Sequence, residues 1–116
     1  MIAFFEIKSK DIQVDLWRFK LALNPNHPVY LGHFPQKPIA PGAMLTEMVK
    51  EIVELEIGRK LKMTEAKNIK FLNMVLPENA SNLELNLVVS QLEIIHVKAE
   101  AKINQEIYFK ISATFV

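Results

Sequence analysis

The sequence predicts an α+β domain in which one antiparallel sheet curls around a single long helix. Three observations carry this. Residues 42–57 place apolar side chains at helical spacing, and no second segment of that kind exists. Six other segments, two before the helix and four after it, read as strands. The resulting order, β-β-α-β-β-β-β, offers one helix to one sheet, and 116 residues suffice for one core but not two.

The first strand is expected over 2–8 and the second over 12–23, where Ile12, Val14 and Leu16 alternate with Gln13, Asp15 and Trp17. A loop from about 24 to 41 follows, and it holds Pro25, Pro28, Pro35, Pro38 and Pro41. Each proline fixes its own φ and pushes the residue before it toward extended geometry. Val29, Tyr30, Leu31, Phe34 and Ile39 are interleaved with them, so the loop reads as ordered and stiff rather than as a linker. Gly42 opens the helix and Gly58 closes it as a left-handed residue. Met44, Leu45, Met48, Val49, Ile52, Val53 and Leu55 form a stripe too wide for packing on one side, opposite Lys50, Glu51 and Glu54. Strands are then expected over 66–72, 82–94, 95–103 and 106–116, with Leu83, Leu85, Leu87 and Val89 alternating with Glu84, Asn86 and Val88. Asn104-Gln105 reads as a hairpin turn and Pro77-Glu78-Asn79 as a loop. Such a sheet has open edges, and dimerisation is the expected way to close them.

Composition narrows the function. Fourteen basic and thirteen acidic side chains leave a net charge of +1, with no basic run, which argues against nucleic-acid binding. Without cysteine there is neither a disulfide nor a thiolate metal site. His27, His33 and Glu47 match no metal-ligand spacing, so no metal is expected. No apolar run reaches transmembrane length and the N-terminus lacks a signal-peptide pattern, so the expected location is the cytoplasm. His27 and His96 read as structural or exposed.

The chemistry gathers at Gly32-His33-Phe34-Pro35-Gln36-Lys37-Pro38-Ile39-Ala40-Pro41-Gly42. An imidazole in a rigid loop runs directly into a helix that carries Glu47, which makes a plausible proton-transfer pair. On a helical wheel Glu47 falls beside Lys50, Glu51 and Glu54. It is therefore a solvated residue in a monomer and a site residue only when a partner covers that face.

This stretch, through Glu47, resembles the signature of the hotdog-fold 3-hydroxyacyl-acyl-carrier-protein dehydratases of bacterial fatty acid synthesis. Ile69-Lys70-Phe71 with Val75 and Pro77 resembles the strand that follows their helix. The likeness is dense over 29–47 and looser over 66–116. It implies a hotdog fold and a homodimer or assembly of dimers, with each active site at the dimer interface. His33 takes the place of the catalytic histidine, and Glu47, supplied by the partner subunit, that of the catalytic carboxylate. The Gly42 N–H takes the place of the amide facing the thioester carbonyl. Three departures from the resemblance are expected: a family N-terminal helical segment absent or heavily reduced, Glu51 where glutamine is common, and Gln36 where glycine is common.

The residues suit that reaction. A neutral imidazole is a fitting base for C2 near pH 7. The helix start offers unpaired N–H groups to the developing enolate, and Gly42 has no side chain to bar the way. Glu47 would protonate the departing hydroxyl. Phe34, Ala43, Met44, Met48 and Phe71, with Leu45, are the expected substrate contacts along an apolar slot. No cofactor is expected, since phosphopantetheine arrives with the substrate on acyl-carrier protein or coenzyme A. An acidic carrier would call for basic residues at the mouth, with Lys8, Lys10, Arg18, Lys20, Lys37, Lys60, Lys62, Lys67 and Lys70 available. Two rival readings are a hotdog thioesterase, which would release thiol rather than water, and a non-catalytic acyl-binding or partner subunit.

Overall fold

The structure is a computed structural model and describes residues 2–31 and 38–116. Its strands are β1 (Phe5–Ile12), β2 (Trp17–Leu23), β3 (Met63–Phe71), β4 (Leu83–Gln91), β5 (Ile95–Ile103) and β6 (Glu106–Phe115). The helix α1 spans Gly42–Ile57, and short 3-10 turns lie at Pro28–Leu31 and Pro77–Asn79. The strands form one antiparallel sheet in the order β1-β2-β4-β5-β6-β3.

Alternation explains which face meets the helix. Leu83, Leu85 and Leu87 of β4 are buried and are flanked across the ladder by Leu21, Phe19 and Trp17 of β2. Val97, Ala99 and Ala101 of β5 face Ala113, Ile111 and Phe109 of β6 on the same side. Leu45, Met48, Val49, Ile52 and Val53 of α1 complete this single core. The two central alanines of β5 leave room for the helix to lie close to the sheet.

The helix ends where expected. Gly58 adopts φ 85° and its N–H donates to the Glu54 carbonyl at 2.8 Å, a left-handed termination that costs a side-chain-bearing residue more. Asn104 and Gln105 both take positive φ in the β5–β6 turn.

Several expected boundaries move. The segment 2–8 becomes a strand at 5–12, and 12–23 begins only at Trp17. The Gln13 N–H donates to the Leu16 carbonyl at 3.0 Å, closing a turn that leaves Val14 fully exposed. Val14 and Leu16 thus belong to a hairpin turn and not to a buried strand. The strand expected at 66–72 lies at 63–71, and 82–94 stops at Gln91, with Leu92 and Ile94 exposed in the next turn. The helix stripe changes too: Leu55 is exposed and Glu54 is buried, 8% accessible. The Glu54 Oε2 accepts the Leu61 N–H at 2.7 Å, so the chain after the helix folds back over this carboxylate. The edge strands β1 and β3 carry bulges, one between Ile7 and Ser9 and two between Met63 and Asn68. Bulges of this kind bend and twist a strand locally.

Candidate active site at the start of the helix

The helix begins without a side-chain cap. Pro41 is extended at φ −64° and ψ 140°, and its carbonyl accepts the N–H groups of Met44 and Leu45 at 3.0 and 3.1 Å. Among the described residues no acceptor takes the N–H of Gly42 or Ala43. Two donors and the positive end of the helix dipole are therefore directed out of the first turn. The approach to the helix is anchored by the Ala40 N–H, which donates to the Val75 carbonyl at 2.8 Å.

Phe71, the last residue of β3, lies over this turn. A Cβ placed on Gly42 would come within 2.7 Å of Phe71 Cε2 and Cζ, so glycine is what allows the ring to lie there. The ring packs at 6.0 Å and 46° against Phe109. Together these groups border an open cavity of about 430 Å³, lined by Ile39, Ala40, Gly42, Leu45, Phe71, Leu72, Asn73, Met74 and Val75. An apolar hollow with backbone donors at one end suits a thioester carbonyl attached to an alkyl chain.

Glu47 lies elsewhere. Five residues on from Gly42, it is turned about 140° around the helix axis. It lines a separate groove of about 710 Å³ with Lys50, Glu51, Glu54 and Arg59. Its side chain is 51% exposed and its Oε1 lies 3.1 Å from Lys50 Nζ. The hydrogen bond to Glu47 holds the Lys50 ammonium above the usual lysine range, against the opposing effect of burial, with Glu54 and Glu51 adding attraction. One protomer therefore does not bring its own Gly42 and Glu47 into one cavity.

The other expected site residues divide. Gly42 and Phe71 share the cavity, and Ala43 is exposed at the helix start. Met44 is half-buried against the core, and Met48 is buried within it and lines neither hollow. His33 and Phe34 fall outside the described residues. His27 has a structural role: its Nδ1 accepts the Val29 N–H at 3.0 Å, and its ring meets Phe4 edge-on at 5.5 Å. His96 is exposed on β5. Leu72, Asn73 and Met74 went unnoticed in the sequence, because an exposed apolar segment after a strand carries no periodic signal.

Among the described residues, no group of three or more His, Cys, Asp or Glu is placed to hold a metal ion. No helix there is long and apolar enough to cross a membrane.

Residues 8–111 match the model of the ApeI-like family, described as ApeI dehydratase. The chain belongs to the ApeI-like dehydratase family. Similar proteins include three named 3-hydroxyacyl-[acyl-carrier-protein] dehydratase FabZ. That of Ruminiclostridium cellulolyticum is 27% identical over 92 residues, 73% of this chain and 65% of that one. That of Alkaliphilus metalliredigens is 26% identical over 121 aligned residues, 96% and 82% of the two chains. That of Clostridium acetobutylicum is 33% identical over 89 residues, 71% and 58%. In the first and third, the match spans less than two thirds of the relative's own length.

Among solved structures, the dehydratase heterocomplex ApeI:P from Xenorhabdus doucetiae aligns with a TM-score of 0.80 at 15% identity, covering 95% of this chain and 96% of that one. An uncharacterized protein from Erwinia carotovora subsp. atroseptica aligns with a TM-score of 0.62 at 18% identity, covering 95% and 90%. These likenesses concern fold. The ApeI-like chain has the hotdog fold that the resemblance implied, with one helix wrapped by an antiparallel sheet.

Proposed function

We propose that this ApeI-like chain removes water from 3-hydroxyacyl chains carried as phosphopantetheine thioesters, giving trans-2-enoyl thioesters for fatty acid or related lipid or polyene synthesis in the cytoplasm. The supporting observation is the uncapped helix start, where the Gly42 and Ala43 amides have no partner among the described residues and Gly42 borders an apolar cavity, in a chain of a dehydratase family.

In this reading the thioester oxygen accepts the Gly42 and Ala43 N–H groups. His33 takes the C2 proton, and the C2–H electrons pass to the thioester oxygen as an enolate. As the enolate collapses, the C2=C3 bond forms and the C3–O bond breaks. Glu47 of the partner subunit gives its proton to the departing hydroxyl, which leaves as water. Neither metal nor nucleotide takes part, and the pantetheine arm enters with its acyl-carrier protein or coenzyme A.

Two subunits are required because one helix directs Gly42 and Glu47 to different sides. Among the described residues the β3 strand is paired by β6 alone, so its other edge offers a second copy a place to extend the sheet. The arrangement is a homodimer or an assembly of dimers. The similar ApeI:P protein is a heterocomplex, which makes a different subunit the rival to a second copy.

The test mixes variants. His33→Ala and Glu47→Gln are each expected to lower dehydration of a 3-hydroxyacyl thioester by about 10²–10⁴ while the assembly persists by light scattering. Reassembled together from equal amounts, the two inactive proteins should regain about a quarter of wild-type activity, because half the dimers pair them and one site in each is intact. Full activity in Glu47→Gln would sink the proposal. Thiol release without enoyl product would assign a thioesterase instead.

A further inference from the structure

The cavity at the helix start has an unusual rim. Phe71, Leu72 and Met74 leave β3 in succession with 46%, 55% and 64% of their surfaces exposed. Three large apolar side chains so close together cost hydration unless something covers them. Their exposure follows from the backbone. The N–H groups of Leu72 and Asn73 both donate to the Tyr108 carbonyl, at 2.8 and 3.2 Å, and the Val75 carbonyl accepts the Ala40 N–H. The segment is pinned at both ends with its side chains directed outward.

The polar inventory identifies what the rim accommodates. Among the described residues Asn73 is the one polar side chain lining the cavity, and its Nδ2 is engaged by Glu106 Oε1 at 3.2 Å and the Ile107 carbonyl at 3.1 Å. No charged residue among those described lines the hollow. Among the described residues a ligand there meets the backbone of Gly42 at the helix start and apolar side chains beyond it. An acidic protein surface would gain little from such a lining, whereas an alkyl chain whose carbonyl sits at Gly42 matches it from one end to the other.

We infer that Leu72 and Met74 form an apolar lip that selects for the distal part of a long acyl chain. This inference rests on the dehydratase reading for the placement of the thioester at Gly42. It goes further in naming the substrate class: chains long enough to run past Phe71 and cover the lip. Each methylene covered there raises binding about fourfold, from about 0.8 kcal/mol per buried methylene. Two or three covered methylenes then separate long chains from short ones by at least about tenfold.

The experiment uses the full chain in its native assembly and compares wild type with the double variant Leu72→Ser/Met74→Ser. The first readout is the ratio of kcat/KM for ten-carbon over four-carbon 3-hydroxyacyl pantetheine thioesters. The second is the ratio of affinities, by calorimetry, for unreactive S-(2-oxoalkyl) pantetheines of the same two lengths. Both ratios are expected to fall about tenfold in the double variant and to return with Leu72→Ile/Met74→Leu. Ratios that stay constant, or short and long chains weakened alike, overturn the lip and point to a protein partner on this surface. Binding that discriminates by length without any turnover would reject the dehydratase reading while upholding the lip.

Discussion

Replacing Gly42 with alanine sets two effects against each other at one atom. A Cβ there would lie 2.7 Å from both Cε2 and Cζ of Phe71, well inside contact distance. The obstacle is a partly exposed ring and not backbone, so the ring can swing, giving up its contact with Phe109. Overpacking of this kind costs about 1–3 kcal/mol, and a lost aromatic pair about 0.5–1.5 kcal/mol within that sum. Alanine recovers up to about 1 kcal/mol of helix propensity, less in the first turn. The net expectation is a loss of about 1 kcal/mol in wild type. In a Phe71→Ala background the clash is gone, so the same substitution should stabilise by a few tenths of a kcal/mol. The sign therefore inverts, with a coupling of about 1–2 kcal/mol. Urea unfolding of the four proteins at one pH measures it. Activity should respond more strongly: the Cβ and the displaced ring crowd the Gly42 and Ala43 amides, and loss of an oxyanion donor costs about 10²–10³ in turnover. A Gly42→Ala protein with the same destabilisation in both backgrounds, or with wild-type turnover, would refute this account.

Two further predictions concern stability. Glu54→Ala leaves the Leu61 N–H without its acceptor in a buried setting and should cost about 1–3 kcal/mol by urea midpoint, with Glu54→Gln costing less because it keeps an oxygen; equal losses in the two would assign the effect to packing. Burial pushes the Tyr30 hydroxyl from 10.0 up to about 12, and among the described residues that hydroxyl has no hydrogen-bond partner. The unfolded chain releases this proton above pH 10 while the folded one retains it, so the stability is whole below pH 10 and is lost between pH 10 and 12. At about 1.4 kcal/mol per pH unit the ceiling is about 3 kcal/mol. Tyr30→Phe should match or exceed wild type at pH 9 and gain on it by about 1 kcal/mol at pH 11. A constant difference across that range would show that the hydroxyl does not titrate in this way.

Local pattern carried much of the fold. Leu83, Leu85 and Leu87 alternate because one face of β4 is wet and the other packs on a helix, and that period is visible in any single strand. The same alternation misled at Val14 and Leu16, where a hairpin turn without glycine or proline repeats the strand period by coincidence of composition. Glu54 misled in the opposite direction. A helical wheel compares a residue with its helix neighbours and holds no information about residues 59–61 folding over it.

What the sequence determined by itself was the inventory: one helix from Gly42 to Ile57 closed by Gly58, a strand-rich remainder, and a His33–Glu47 motif that resembles the dehydratases'. These depend on neighbours in the chain, whose spacing is written into the order of residues. Only tertiary structure decided that Phe71 rests on Gly42 and that Leu72 and Met74 rim the cavity beside it. Each of those facts joins segments that are remote in sequence. Their meeting is set by how the helix seats in the sheet, a property of close packing that no local period encodes.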